Sequence, residues 1–394
     1  GLPGWYDQPY YSAYSEKKNF TASGTTGFYK KEKLSFDLES SYSFRNDQVN
    51  ISEIDELFYV NSDDDFENLK IKTAVKYSLD PFILRTGAEY NAESVNSASL
   101  DKSERSREIE SIYSKLEYWK NILSDKLDYH ITGAVRKDFI SAADFDRFMF
   151  SFDNSAEYSK SVFIFMPKYS YSQSYNLPSF SALFWADNLF SSGNADLKPE
   201  FSVQHELSLS GSADLNYVKF KAGYSYYDKK LEDLIVWIKR TNGKYTPENF
   251  KEGKITGHEL LAGADILDGK LMLDASYSRM NARQFTDNPV TDGKYVIYKP
   301  VETFSASISC DHNDYKASFR VKYNGKIYLN ESNSIDIYPF WLYGASVSKN
   351  FRTGKIQMNI FADCDNILDE QYQVIYGYPM PGRKIETGIE IKFK

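Results

Sequence analysis

The sequence lacks long apolar runs. None approaches the roughly 18 residues that a membrane-spanning helix needs, and the mean hydropathy is -0.53. These features argue against a bundle of transmembrane helices. They leave open a transmembrane β-barrel, because only alternate residues of its strands meet lipid.

Cysteine and excess positive charge are also scarce. The chain of 394 residues has 2 Cys and a net charge of -8. Two cysteines make no disulfide framework, and we expect Cys310 and Cys364 to lie too far apart for a bridge. The negative charge argues against a nucleic-acid partner, because phosphates are bound by clustered Lys and Arg.

Aromatic residues, in contrast, are abundant. The chain has 32 Tyr and 27 Phe, and aromatics make up 16% of it. Such residues favour β-strands, and they form the girdles of membrane barrels.

Apolar and polar residues alternate with a period of two at the end of the chain, in KIETGIEIKFK (384–394). Ile385, Ile389 and Phe393 share one parity, while Glu386 and Glu390 share the other. This period predicts strands with one apolar and one polar face. It recurs at 34–44, 69–77, 218–226 and 315–323.

Short and long connections alternate along the chain. We expect short turns near 30–32, 78–81, 121–126, 158–162, 211–216, 265–269, 311–313 and 350–354. We expect long polar loops near 45–68, 94–107, 138–153, 175–199, 239–248, 283–294, 329–336 and 365–381. This order predicts an all-β, antiparallel up-and-down barrel of about 17 strands, with its long loops at one end. Residues 216–239 must then form one strand with a bulge near 229–233, and we find neither a useful helix nor a dividing linker.

A soluble β-sandwich or propeller is the alternative architecture. The polar faces carry charge along nearly every strand, and no strand is apolar on both faces, so a second packed sheet is disfavoured. Bacterial barrels of one chain have even strand numbers. We therefore expect about five strands upstream of this chain, which would complete a barrel of about 22 strands like the plugged outer-membrane transporters.

Four segments resemble those of TonB-dependent outer-membrane receptors. The last segment resembles the cobalamin (BtuB-type) transporters most of all. They are SYNLPSFSALF (174–184), GNADLKPE (193–200), ENFKEGKITGHE (248–259) and DNILDEQYQVIYGYPMPGR (365–383). The resemblance implies that residues 1–394 are the C-terminal part of a transmembrane barrel domain, with the plug and the first strands outside this chain.

The resemblance also implies a function. Such a receptor binds a scarce ligand, here a corrinoid such as cobalamin, at the surface of the outer membrane of a Gram-negative-type bacterium. It imports the ligand with energy from the TonB complex, and its other partners are the lipid bilayer and lipopolysaccharide. A receptor for a ferric siderophore or haem is an alternative, and a passive porin or structural barrel is another. No catalytic constellation is present, so we do not expect an enzyme.

Two sets of loop residues are candidates for binding. Asp63, Asp64 and Asp65 form an acidic run in a predicted loop, where carboxylates suit calcium, and the resemblance adds Asp7; an ordinary solvated loop is the alternative. No other cofactor is expected. Aromatic residues of the first, middle and last loops suit a large, flat ligand, although they suit loop packing equally: Tyr6, Tyr10, Tyr11, Tyr14, Phe184, Trp185, Tyr376 and Tyr378.

Overall fold

A computed structural model describes residues 14–31, 33–51, 60–123, 126–141, 143, 145–354 and 356–393. Within them, 17 antiparallel strands form one sheet. They are β1 (Tyr14–Lys31), β2 (Leu34–Ile51), β3 (Val60–Leu79), β4 (Phe82–Asn96), β5 (Glu104–Ile122), β6 (Leu127–Ile140), β7 (Phe148–Lys160), β8 (Phe163–Asn176), β9 (Glu200–Leu215), β10 (Val218–Lys239), β11 (Tyr245–Ile266), β12 (Leu271–Phe285), β13 (Glu302–His312), β14 (Tyr315–Asn324), β17 (Phe340–Thr353), β18 (Ile356–Asp365) and β21 (Lys384–Phe393).

The remaining elements are small and lie in loops. They are the helix α1 (Phe180–Phe184) and the strand pairs β15 (Ile327–Tyr328) with β16 (Asp336–Ile337), and β19 (Gln373–Ile375) with β20 (Tyr378–Pro379). No helix in the described ranges is long and apolar enough to cross a membrane.

Each strand of the large sheet pairs with the next one along the chain, from β1 with β2 to β18 with β21. One end of the sheet, the turn end, carries tight connections such as Asp80–Pro81; the other, the loop end, carries longer ones such as 177–199. The predicted up-and-down order of about 17 strands is therefore confirmed. Among the described residues, no pairing joins β1 to β21.

Several strands extend further toward the loop end than the sequence predicted. The loop expected at 45–68 is mostly strand, because β2 continues to Ile51 and β3 begins at Val60. The connection expected at 239–248 covers only 240–244. Paired strands satisfy each other's backbone groups wherever they lie, so polar residues can continue a ladder that apolar patterning does not reveal.

The long strand expected at 216–239 is observed as β10, but the expected bulge is wrong. The pairing of β10 with β11 keeps one register on both sides of Asp233, so no extra residue is inserted. Asp233 instead adopts a left-handed φ of 55°. Its carbonyl oxygen accepts a hydrogen bond of 2.6 Å from Asn249 Nδ2, which stabilises this single irregular residue.

The two faces of the sheet differ in chemistry. The outer face bears the apolar parity, and on β21 its side chains are strongly exposed: Ile385 by 67%, Ile389 by 62% and Phe393 by 79%. The inner face bears the polar parity, with Lys70 and Lys72 of β3 among its members. A protein core would cover the apolar face, so its exposure is consistent with the predicted barrel.

Charged side chains of the inner face reach across whole strands. Arg136 of β6 lies 3.4 Å from Glu89 of β4, and Arg320 of β14 lies 2.9 Å from Asp363 of β18. The second pair passes over Gly344 of β17, where an added Cβ would come within 3.1 Å of Arg320 Nη2. These pairs couple strands that share no backbone hydrogen bonds.

Serine hydroxyls also pair between neighbouring strands of the inner face. The oxygen–oxygen distances are 3.0 Å for Ser208 and Ser225, 2.6 Å for Ser276 and Ser305, and 2.7 Å for Ser318 and Ser346. Paired hydroxyl groups therefore recur along the inner wall from β9 to β17, among charged side chains such as Lys221 and Asp274, which lie 2.8 Å apart. Cys310 and Cys364 are both free, as predicted.

Candidate functional site

The loop 177–199 contains α1 and packs against the connections on both of its sides. Ser179 caps α1 by accepting a hydrogen bond of 3.0 Å from the Ala182 N–H. Trp185 forms an isolated β-bridge with Leu100, and Ser191 forms one with Tyr245 at the start of β11. These contacts hold the loop across the loop end of the sheet.

Two arginines of β5 anchor this loop. Arg107 donates hydrogen bonds of 2.8 Å to the Pro178 carbonyl oxygen and 2.6 Å to Glu93, and its guanidinium lies 4.8 Å from the centre of the Phe180 ring. The Arg105 guanidinium lies 4.0 Å from the centre of the Phe184 ring. Both contacts are favourable cation–π arrangements, so residues 177–185 form a fixed wall, named here the wall segment.

Arg105 is itself oriented by an ion pair. Its Nη2 lies 2.5 Å from an oxygen of Asp101, in the connection before β5. The hydrogen bond from Arg105 is the chief reason that the pKa of the Asp101 carboxyl is lowered.

A polar chamber lies on one side of the wall segment, between it and the inner face of β1 to β5. Its volume is about 620 Å³, and its lining includes Arg45, Asp64, Glu93, Arg107 and Trp185. Within the described part of the chain, Asp64 Oδ1 and Trp185 Nε1 are buried without a hydrogen-bond partner. Unsatisfied buried polar atoms are costly, so this chamber is suited to a partner that supplies hydrogen bonds.

An apolar chamber of about 870 Å³ lies on the other side of the wall segment. It is bounded by β10 to β12 and by residues 296–299 of the next loop. Ser179 lines both chambers. The lining of the apolar chamber is mainly aliphatic and aromatic, and includes Leu231, Leu234, Trp237, Tyr245, Ile255, Met280, Val296, Ile297 and Tyr298. Both chambers have the size of ordinary ligand pockets.

The acidic run does not lie in a loop, and this expectation was wrong. Asp63, Asp64 and Asp65 belong to β3, where Asn46 Nδ2 donates hydrogen bonds of 2.6 Å to Asp63 and 2.8 Å to Asp65. Because strand residues alternate between faces, Asp64 points inward while its two neighbours point outward. The three carboxylates cannot meet at one cation. Among the described residues, no group of three or more His, Cys, Asp or Glu side chains could hold a metal.

The predicted aromatic residues fall in different places. Trp185 lines the polar chamber, and Phe184 packs beneath Arg105. Tyr376 and Tyr378 lie at the β19–β20 hairpin, where Tyr376 is exposed by 69%. Tyr14 is the first residue of β1. Tyr6, Asp7, Tyr10 and Tyr11 lie outside the described residues.

Sequence reasoning missed a cluster that joins two loops. Asn333 accepts a hydrogen bond of 2.6 Å from the Tyr295 N–H and donates one of 3.0 Å to the Tyr295 carbonyl. The centre of the Tyr295 ring lies 3.8 Å from the Arg283 guanidinium and 5.2 Å from the centre of the Tyr328 ring, on which it stacks. These partners are far apart in sequence, and no local pattern indicates their contact. The cluster fixes residues 296–299 over the apolar chamber.

Comparison with known proteins agrees with this architecture. A sequence model of the family described as "TonB dependent receptor-like, beta-barrel" matches residues 1–367. A vitamin B12 transporter BtuB of Photobacterium profundum is 29% identical over 208 residues, which cover 51% of this chain and 32% of that protein.

Solved structures of similar fold include two receptors and a transporter. The ferric enterobactin receptor PfeA of Pseudomonas aeruginosa aligns with a TM-score of 0.70 and 15% identity, covering 95% of this chain and 61% of that one. The copper transporter OprC gives 0.69 with 14% identity, covering 95% and 64%. The siderophore receptor PirA of Acinetobacter baumannii gives 0.68 with 16% identity, covering 97% and 62%.

At such low identities the structural likeness establishes the fold alone. The chain spans about a third of the length of the transporter it matches in sequence, and less than two thirds of the length of these receptors. The family match, in contrast, covers nearly the whole chain. The chain therefore belongs to the TonB-dependent receptors and forms part of their β-barrel.

Proposed function

We propose that the chain is the barrel of an outer-membrane receptor that captures a corrinoid, with cobalamin as the first candidate, for import with energy from TonB. The observation that carries the proposal is the pair of chambers of contrasting chemistry at the loop end, separated by an anchored wall. A corrinoid combines an amide-edged ring with an aromatic base, so it needs polar and apolar surfaces side by side. The sequence similarity to a vitamin B12 transporter supports the same ligand.

The same proposal places the chain in its surroundings. The exposed apolar parity of the outer face would meet the bilayer, and the loop end would lie outside the cell among lipopolysaccharide. The plug and the segment that contacts TonB would be supplied by the rest of the protein. In this role the protein carries out transport and no chemical conversion.

A ferric siderophore is the second candidate ligand. Arg45 and Arg107 both line the polar chamber, and guanidinium groups suit anionic metal chelates. The folds of known siderophore receptors are compatible with this alternative.

The test is equilibrium binding of labelled cobalamin to outer membranes from cells that express the full-length gene. We expect saturable binding that unlabelled cobalamin displaces and ferric siderophores do not. Absence of cobalamin binding, with saturable binding of a labelled ferric siderophore, would establish the second candidate instead.

Calcium binding at Asp7, Asp63, Asp64 or Asp65 remains a prediction. Because Asp64 faces away from Asp63 and Asp65, these three would not share one ion, and the same assay tests each face of β3 with added calcium and with chelator. Asp63→Asn and Asp64→Asn should be compared, because the two carboxylates face opposite sides of β3. If calcium supports ligand binding through the outward pair, only Asp63→Asn will weaken the calcium response. An unchanged response in both variants would leave the acidic run as ordinary strand residues.

A further inference from the structure

Among the charged side chains described in the lining of the apolar chamber, one has no partner. The carboxylate of Glu200 is not that one, because it accepts hydrogen bonds of 2.7 Å from the Ile235 N–H and 2.9 Å from Asn176. Arg283 donates a hydrogen bond of 2.8 Å to the Gly293 carbonyl. Lys299, in contrast, is exposed and has no ion pair or side-chain hydrogen bond within the described residues. The chamber therefore presents a free cation beside an apolar surface, and an occupant with one negative charge would complement it.

Three aromatic side chains line the same chamber: Trp237, Tyr245 and Tyr298. Tyr298 adopts a φ of 56°, which is costly for a bulky residue. It is held by a hydrogen bond of 2.9 Å from its N–H to the Tyr328 carbonyl, and Val296 is held by one of 3.0 Å to Ala282. The backbone that carries the Tyr298 ring and Lys299 is thus held in place before any ligand arrives, and such preorganisation lowers the entropy cost of binding.

The aliphatic part of the chamber is equally well defined. Gly253 of β11 allows Leu234 and Leu231 to pack against the backbone, since an added Cβ would lie only 3.2 Å and 3.5 Å from them. Together with Ile255 and Met280, these side chains form a floor without charge. A flat aromatic base fits such a floor better than the polar edge of a metal chelate does.

We propose that the apolar chamber binds the nucleotide end of a corrinoid. The aromatic base would lie among Trp237, Tyr245 and Tyr298, and the phosphodiester beside it would meet the ammonium group of Lys299. The amide-edged corrin ring would remain outside the chamber. The inference rests on the proposed function, and it adds which part of the ligand these residues recognise.

The experiment compares two ligands on full-length receptor in outer membranes. Cobalamin carries the phosphate and the aromatic base, whereas cobinamide has the corrin ring without either. For Lys299→Ala we expect cobalamin affinity to fall about tenfold, because a charge-assisted contact is lost, while cobinamide affinity changes less than about twofold. Lys294→Ala is the matched control, since it removes a lysine of the same loop that does not line the chamber.

A second variant tests the aromatic part without straining the backbone. Tyr298→Gly removes the ring at a position where glycine tolerates the left-handed φ, and it should weaken cobalamin binding but not cobinamide binding. Equal effects on both ligands, or no effect on either, would overturn the inference about the nucleotide end. Neither outcome would contradict the proposed function of cobalamin import. Failure of the unaltered receptor to bind cobalamin would instead reject the proposed function on which it rests.

Discussion

At the scale of single residues, the side chain of Arg320 reaches across the neighbouring strand β17 because that strand has a glycine, Gly344, at the crossing point. The guanidinium lies 2.9 Å from Asp363 and 3.0 Å from Asp365, both across β17. Gly344 leaves room for the guanidinium over the backbone of β17. The two residues therefore act as one structural unit.

We expect Gly344→Val to displace Arg320 and to destabilise the receptor by about 1–3 kcal/mol, since hydrogen bonds to charged groups are lost. The measurement is denaturant unfolding of the full-length receptor in detergent. Gly133→Val is the control, because no atom lies within 4 Å of a Cβ added there. Similar destabilisation in both variants would show that the loss comes from replacing a strand glycine and not from Arg320.

The Asp101–Arg105 ion pair gives a prediction with a defined pH dependence. Arg105 lowers the pKa of the Asp101 carboxyl below its ordinary value of 3.8. A group with a lowered pKa in the folded state stabilises that state above its ordinary pKa, and the stabilisation is lost as the pH falls through the lowered value. Cleavage of the connection 97–103 by an acid-active protease, divided by its cleavage of an unstructured peptide at the same pH, should therefore stay constant down to about pH 4 and increase only below it.

Asp101→Asn should remove this pH step, because its amide does not titrate, and should raise cleavage already at about pH 5. Retention of the step in the variant would assign it to another group.

At the scale of elements, the wall segment is what creates a site. Residues 177–179 and 182 line the apolar chamber, and residues 179–181 and 185 line the polar one, so the segment forms part of the wall of both. The helix α1 has only five residues, too few to be stable alone. Its position depends on anchoring by β5, chiefly through Arg107.

We expect Arg107→Ala to release the wall segment. The variant loses the hydrogen bond to Pro178, the ion pair with Glu93 and the contact with Phe180. Limited proteolysis of intact outer membranes should then cut within 177–199 at least about fivefold faster. Lys102→Ala, an exposed change in the neighbouring connection, should leave the cleavage rate unchanged, and an unchanged rate in Arg107→Ala as well would show that β5 does not hold the segment.

Strands could be predicted from the sequence, but the site could not. The parity of segments such as 69–77 is a local signal, and it located nearly every strand and turn. The acidic run at Asp63 was misplaced because polar residues give no sign of where a paired strand ends. Trp185 was identified from its loop, whereas Lys299 and Tyr298 were missed, since their chamber forms only when three distant segments meet.

At the scale of the whole molecule, the two faces of the sheet should differ in how well they tolerate an added positive charge. Ile389 lies in the middle of β21 on the exposed apolar face, and Glu390 follows it on the polar face. If the apolar face meets lipid, Ile389→Lys should destabilise the assembled receptor by on the order of 2 kcal/mol. Glu390→Lys should cost less than about 1 kcal/mol, because only an exposed ion pair is lost.

The measurement is unfolding of each variant after folding into lipid vesicles. Equal costs for the two substitutions would contradict a lipid-facing outer surface, and a larger cost for Glu390→Lys would reverse the assignment of the faces.

The serine pairs of the inner wall have a mechanical consequence. Either hydroxyl of each pair can donate, so the wall has no fixed direction of hydrogen bonding. A body that moves along this wall exchanges one hydroxyl partner for another of nearly equal strength. Between the serine pairs its energy therefore varies little with position. Ion pairs of the same face, such as Arg320 with Asp363 and Arg136 with Glu89, interrupt this uniformity, so we expect them and not the serine pairs to hold such a body in place.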